Sequence, residues 1–573
     1  MNKKKYFLIY LPCIFAFIIF VCFALVISNK TVQKNTYGQK INAKDTWKKV
    51  MADSANKSEI SVSVNKEKIK QIPKKAYMSD NLNLMIPMDI VKEYFDCAWY
   101  VYDNKRLVIE KGSNVAVMHI GEKKISFNDN EYSLQDKIIK KGDTLYVPET
   151  VFTDYFKYKY KWNSELNAAY FTDTAIGNNY LPKRYSYIDK KRSVLPSNQG
   201  NMGTCWAFAT MTALETSLMP EETYDFSENN LIYNNTLGED IQDGGDYMMS
   251  MAYLMAWKGP VLEKDDPYGS KRTNKQLKPV KHVQEAQIIG EKDYKQIKEM
   301  VYKYGGVESS MYMSMNSGDA SSVYYNESEY AYCYKGRNKP NHDVVIIGWD
   351  DNFPKELFND ESVEENGAFI CINSWGRKFG YNGVFYVSYY DDCIGTNNVC
   401  YTKVENTDNY NNIYQSDLCG WTGSMGFDGE NTAYFANVYK AKATENIQAV
   451  GFYGTNENIK YEVFVCENYK NTNSLSERNH IAASGGLKNK GYYTINLDKK
   501  YKITKNKKFA VIVKVTNQKQ DRMFKIIPVE MENSDMEGTV DLTDGEGYFS
   551  AGGLNWKSAE NEQCNICLKA YTN

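Results

Sequence analysis

Asn198-Gln199-Gly200-Asn201-Met202-Gly203-Thr204-Cys205-Trp206-Ala207-Phe208 is the stretch on which the reading of this chain turns. A glycine-rich turn delivers one cysteine, Cys205, to the start of a run (residues 207–215) whose composition predicts a helix. The first turn of a helix leaves backbone N–H groups unpaired and carries the positive end of the macrodipole. A thiol placed there is expected to give up its proton more readily. A thiolate is a nucleophile, whereas a cysteine packed in a core behaves as a small apolar side chain. Gln199, six positions earlier, adds an amide donor.

Two later segments supply partners. Asn341-His342-Asp343-Val344-Val345-Ile346-Ile347-Gly348-Trp349 sets a histidine at the mouth of an apolar, β-branched run. Ile370-Cys371-Ile372-Asn373-Ser374-Trp375-Gly376 sets an asparagine at the end of another. The chain has only four histidines, His119, His282, His342 and His480, and the other three lie in no such context. Together the three segments resemble the papain-like cysteine peptidases, whose motifs read Q-G-x-C-G-S-C-W, N-H-A-V and N-S-W-G. The resemblance implies that Cys205 is the nucleophile, with His342 serving as base and then acid. It implies that Asn373 orients the imidazole, with Trp375 shielding that bond from water, and that Gln199 donates to the oxyanion. Gly244-Gly245 resemble the paired glycines along which a substrate backbone lies, although their spacing alone reads equally as a loop turn.

The chain also departs from the family pattern. Met202 stands where the family has a cysteine, so the disulfide made there cannot form. The stretch between His342 and Asn373 is wider than in short members, and the polar, acidic residues 352–366 read as a surface insertion.

At 573 residues the chain exceeds one core. Its net charge of −2 and lack of a long basic face argue against a nucleic-acid role. Twelve cysteines at this length are not a disulfide framework. Cys393 and Cys400 are spaced so that they could pair or remain free thiols. Cys564-Asn-Ile-Cys567 lies in a strand-like run without a partner pair for zinc. No metal and no cofactor is expected.

Lys3, Lys4 and Lys5 precede an uncharged, mostly apolar run over residues 6–28, long enough to span a bilayer with the remainder outside. This favours a single-pass anchor displaying the rest at the cell surface, the alternative being a signal peptide and secretion. Further along, Leu84-Met85-Ile86-Pro87 and the residues after it repeat at a constant offset as Leu145-Tyr146-Val147-Pro148. Each copy reads as a strand, a short helix after proline, then more strand. These copies resemble the amine-oxidase N-terminal-like domains of bacterial exported proteins, and with His119 the only histidine among them they are read as structural or binding units. The module occupies the position of a family propeptide, so it is also a candidate for covering the cleft until the linker at about 172–181 is cut.

After Tyr401 the pattern changes to alternating strands separated by turns rich in Asn and Gly, as in an antiparallel sandwich. Ile447-Gln448-Ala449-Val450-Gly451-Phe452-Tyr453 and the strand order resemble the lectin-like domain of Gram-positive surface cysteine proteases. This implies either a packing role or binding of cell-wall glycan.

The expected fold is therefore multidomain α+β. Residues 1–29 are an anchor or signal, 30–55 a linker, and 56–174 a two-copy α/β repeat module. Residues 175–403 are a two-lobe papain-like domain with a helical left and a β-rich right lobe, and 404–573 a lectin-like β-sandwich. The expected function is a surface-displayed cysteine endopeptidase acting on protein or peptide substrates. Its rival is a non-catalytic cell-wall or carbohydrate-binding protein that uses the same fold as a scaffold.

Overall fold

A computed structural model describes residues 60–573, apart from residues 66, 70–74, 164–165, 175–179, 191, 193–194, 237–243, 271, 519–524 and 533–539. The expected membrane segment (6–28), the linker (30–55) and most of the join near 175–180 lie outside the described residues. Among the described residues, no helix is long and apolar enough to cross a membrane.

Four helices and one long sheet position the site. The helices are α1 (Cys205–Leu218), α2 (Glu228–Asn234), α3 (Tyr247–Met255) and α4 (Tyr294–Lys303). The strands are β1 (His282–Ile289), β2 (Val307–Met311), β3 (His342–Asp350), β4 (Ala368–Ile372), β5 (Val384–Ser388), β6 (Asn398–Glu405), β7 (Glu445–Gly454), β8 (Lys490–Ile503) and β9 (Leu568–Thr572). They neighbour one another in the order β5-β4-β3-β2-β6-β1-β8-β7-β9. Helix α1 is apolar on nearly every side, from Trp206 through Met211 to Leu218, and is correspondingly enclosed. It packs against β3, β6 and α3. β3 is equally apolar, with Val344, Val345, Ile346, Ile347 and Trp349 all buried, as expected of a central strand covered on both faces.

The sheet does not stop at the end of the peptidase-like region. β1 pairs antiparallel with β8 through Ala286↔Tyr492 and Gln287↔Gly491, so one half of the C-terminal sandwich is the continuation of the same sheet. A separate six-stranded sheet (among its members Thr432–Lys440, Ile459–Cys466 and Lys508–Asn517) closes the sandwich over Phe435, Phe452, Val463 and Val513. β6 runs from Asn398 to Glu405, through the expected boundary at 403/404.

The N-terminal module is far more β than α. It holds two four-stranded sheets and a five-stranded meander, and its helical content is a short stretch after each repeated strand, two turns over Met88–Tyr94 and one over Val151–Tyr155. The proline closing each repeated strand keeps the residue before it extended and is well suited to start the helical stretch that follows. The copies pair with each other (Val147↔Ile86), and each ends its turn on a left-handed residue, Asp96 (φ 48°) and Lys157 (φ 59°).

This module docks on the side of the peptidase-like region away from Cys205. Val101 N–H donates to Glu221 Oε1 at 2.8 Å, just past the C-terminal end of α1. Lys303 Nζ pairs with Asp96 at 3.0 Å and Lys190 Nζ with Glu110 at 2.7 Å. The Arg192 guanidinium lies 5.4 Å from the Tyr100 ring centre, and Ala98 joins the core of the neighbouring region. Steric cover of the cleft by this module is therefore not what the structure shows. A helix of 14 residues, about 21 Å long, separates its docking face from Cys205.

One open alternative resolves and one expectation changes. Cys393 and Cys400 are both buried free thiols, with Cys393 Sγ directed to the Asn338 carbonyl. The insertion 352–366 is not purely surface: Phe353, Phe358 and Val363 form a satellite cluster with Ala331, Cys333 and Ala368.

Candidate active site

Cys205 opens α1. Thr204 precedes it with its hydroxyl engaged by Tyr268 OH at 2.8 Å, so it makes no side-chain cap. The first N–H groups of the helix are consequently unclaimed by a cap, and those of Cys205 and Trp206 point to the Cys205 sulfur, together with the N–H of Asp343. That third donor brings the thiol beside the residue following His342. His342 begins β3 and Asn373 follows β4, and these two strands are paired neighbours. His342 Nε2 lies 2.8 Å from Asn373 Oδ1, which also accepts the N–H of Ser374 at 2.8 Å. The Trp375 ring sits 5.1 Å from the imidazole and is itself buried.

Gln199 is fixed from several directions. Its backbone N–H reaches the Ser374 carbonyl at 2.8 Å, and its Oε1 accepts from Ser374 Oγ at 2.5 Å. Its Nε2 donates to the Met202 carbonyl at 2.7 Å. A side-chain amide has two N–H bonds, so one remains for a ligand. Ser374, which ties Gln199 to the Asn373 turn, was not singled out from sequence; it sits next to Asn373 in the motif but carries no chemistry of its own.

Gly245 passes over the indole of Trp206, where a Cβ would lie 2.5 Å from the ring, and Gly244 adopts φ 90° with open space around it. The two glycines bring a bare stretch of backbone next to the residue that follows Cys205.

Burial governs the electrostatics. It pushes the Cys205 thiol up to about 12, with the Asp343 carboxylate adding to the effect, and pulls His342 down to about 4 against the opposing bond from Asn373. The helix dipole alone, which predicts an acidic thiol, is outweighed by loss of water. Asp343, beside the thiol, is itself raised to about 6 by burial, and Glu308 is held well above the usual carboxylate range by burial and by Asp343. Either charge alone is disfavoured here.

Residues 181–406 match the family model described as papain family cysteine protease. They form a papain-family cysteine protease domain. Residues 413–572 match the lectin like domain, and residues 30–171 the copper amine oxidase N-terminal domain. The protease domain is 27% identical over 255 residues to pro-cathepsin H of Mus musculus, covering 40% of this chain and 68% of that protein. It is 28% identical over 224 residues to cathepsin L 1 of Paramecium tetraurelia, covering 37% of this chain and 62% of that protein. The fold is similar to two structures of the clostridial cysteine protease Cwp84. The first, after propeptide cleavage, has TM-score 0.60 and 27% identity over 68% of this chain and 99% of that one. The second contains the cysteine protease and lectin-like domains of Cwp84, described as a surface layer associated protein of Clostridium difficile. It has TM-score 0.59 and 28% identity over 68% of this chain and 88% of that one. The protease domain is thus joined to a lectin-like domain, in the combination also seen in Cwp84. Despite the copper in its family's name, the N-terminal module does not fit a copper site. Its single histidine, His119, is exposed, and no group of three or more His, Cys, Asp or Glu among the described residues is placed to hold a metal.

Proposed function

We propose that this protein is a surface-displayed cysteine endopeptidase cleaving peptide bonds of cell-surface or extracellular proteins. The observation that carries the reading is the Asn373 Oδ1 to His342 Nε2 contact at 2.8 Å, which leaves Nδ1 as the nitrogen available to the thiol. In this reading Cys205 Sγ attacks the carbonyl carbon as its proton passes to His342. The oxygen, now negative, is held by the free N–H of Gln199 and the backbone N–H of Cys205, and loss of one such donor costs about 3 kcal/mol. His342 then protonates the leaving amine, the C–N bond breaks, and a thioester to Cys205 remains. Water, deprotonated by His342, hydrolyses the thioester and restores the thiol. Trp375 keeps water from the His342–Asn373 bond, and Gly244 and Gly245 accept the substrate backbone.

Display at the surface is supported by the likeness to Cwp84 and by the apolar run of residues 6–28, which would hold the domain outside the membrane as an anchor, or direct secretion if cleaved. The lectin-like domain is the natural candidate for contact with cell-wall glycan. The rival scaffold reading would be expected to lack part of the set Gln199, Cys205, His342 and Asn373, and all four are present.

The test is covalent labelling. An epoxide inhibitor of papain-like enzymes, followed by peptide mass spectrometry, should modify Cys205 and spare the buried thiols Cys371, Cys393 and Cys400. Modification elsewhere, or none, contradicts the assignment.

A further inference from the structure

The turn that leads from Gln199 to Cys205 is held by a residue the reaction above does not use. Tyr268 OH donates to the Gln199 carbonyl at 2.9 Å and lies 2.8 Å from Thr204 Oγ1. A phenol has one proton, and here it goes to the carbonyl, so the Thr204 hydroxyl is left to donate to the Tyr268 oxygen. Both ends of the 199–204 turn therefore meet at a single oxygen. Burial raises the Tyr268 phenol above its usual range, so the proton stays on that oxygen near neutral pH.

Tyr268 is fixed in turn. Its ring meets Phe208, in the first turn of α1, edge to face at 4.8 Å. Its N–H donates to Glu263 Oε1 at 2.8 Å. Two positions earlier, the buried Asp266 carboxylate accepts from Asn229 at 2.7 Å and Asn230 at 2.8 Å, both on α2, and from Thr273 at 2.6 Å. The hydroxyl is thus carried by a loop anchored to two helices.

The ends of this turn are where the two oxyanion donors of the reading above originate. Gln199 supplies a side-chain N–H, and the N–H of Cys205 belongs to the peptide unit that Thr204 begins. Met202 removes the family's disulfide from this turn, and its side chain is exposed. Ser374 ties Gln199 to the Asn373 turn, whereas Tyr268 ties it to the residue before Cys205. We propose that Tyr268 is a positioning residue for the oxyanion site, its hydroxyl setting the separation of the Gln199 amide and the Cys205 N–H. This role rests on the peptidase reading above and involves no contact between Tyr268 and substrate. Oxyanion donors act where charge develops, so their placement weighs on the transition state rather than on the bound substrate. A misplacement of about 1 Å costs about a hundredfold in rate, and removing one of the bonds that hold Gln199 is expected to cost about tenfold.

The test is a mutant cycle in the full chain. kcat and KM on a cleaved peptide are compared for wild type, Tyr268→Phe, Gln199→Ala and the double variant, with melting temperatures alongside. Tyr268→Phe removes one oxygen and keeps the ring against Phe208. It is expected to lower kcat about tenfold with KM within about twofold. With the Gln199 amide already gone, the same substitution should change kcat by less than about twofold, because no side-chain donor is left to place. Alkylation of Cys205 by iodoacetamide, which forms no oxyanion, should keep its rate and pH profile. Thr204→Val repeats the cycle from the helix side should Tyr268→Phe fail to fold, and its fall in kcat should likewise vanish in the Gln199→Ala background. An unchanged kcat in Tyr268→Phe, an equal fall in both backgrounds, or a slowed alkylation overturns the role and leaves the peptidase reading standing. Absence of any cleavage by wild type overturns the peptidase reading, and this role with it.

Discussion

Gly491 of the C-terminal domain faces the carbonyl of Ala286 in the protease domain so closely that a Cβ at Gly491 would collide with that oxygen. This is the seam where β8 joins β1, and Gly491 holds φ 135°, a region that side chains rarely enter. Gly491→Ala is therefore expected to be destabilising on two counts, contact and backbone, by roughly 1–3 kcal/mol. Thermal unfolding measures the loss, and limited proteolysis should release the C-terminal domain earlier. An unchanged melting temperature would mean the seam is not held as described.

Glu215 lies in α1 with its carboxyl buried and one oxygen accepting the N–H of Phe226 at 2.8 Å. Burial raises it from 4.5 to about 8. Between those values the unfolded chain releases a proton that the folded chain keeps, so this group makes stability fall as pH rises through the window. Glu215→Gln imitates the protonated form at every pH. Its melting temperature relative to wild type should therefore climb between pH 5 and pH 8. A constant difference would show that Glu215 ionises normally in the fold.

Asp343 sits beside the Cys205 thiol and opposes formation of the thiolate. Asp343→Asn should move the pH profile of Cys205 alkylation to lower pH. The measurement is the rate of reaction with iodoacetamide against pH, with the label located by mass spectrometry. A profile that stays in place would mean that the carboxyl and the sulfur do not sense each other.

The N-terminal module is held by Glu221 beyond the far end of α1, by Lys190, and by Lys303 at the end of α4. Cutting the chain between Thr174 and Tyr180 should leave the module bound on size exclusion, with kcat/KM changed by no more than about twofold, because an interface distant from the reacting atoms contributes no transition-state contact. Release of the module together with a surge in activity would instead restore the idea that it restrains the enzyme.

How much of this was legible in the sequence depends on how local each feature is. Cys205, His342 and Asn373 each end or begin a short apolar element, so three linear motifs were enough to collect them. The seam between β1 and β8 joins residues about 200 positions apart, and no local pattern in either strand names its partner. The N-terminal module reads as α/β because a proline after each repeated strand signals a short helix, yet those stretches stop after two turns (Met88–Tyr94) and one turn (Val151–Tyr155) between strands. The acidity expected of Cys205 followed from the helix end alone. Its burial, and Asp343 at its side, depend on the tertiary fold and outweigh the dipole. Phe353, Phe358 and Val363 were hidden in an acidic insertion whose charge masked its small core.

The central claim is that Cys205 carries the chemistry. The most direct measurement is kcat on a cleaved peptide for wild type and Cys205→Ala, alongside thermal unfolding of both. The account predicts turnover lost to background in the variant, a melting temperature within a few degrees of wild type, and the same substrate still bound. A variant that is folded and keeps a substantial fraction of wild-type kcat would contradict it.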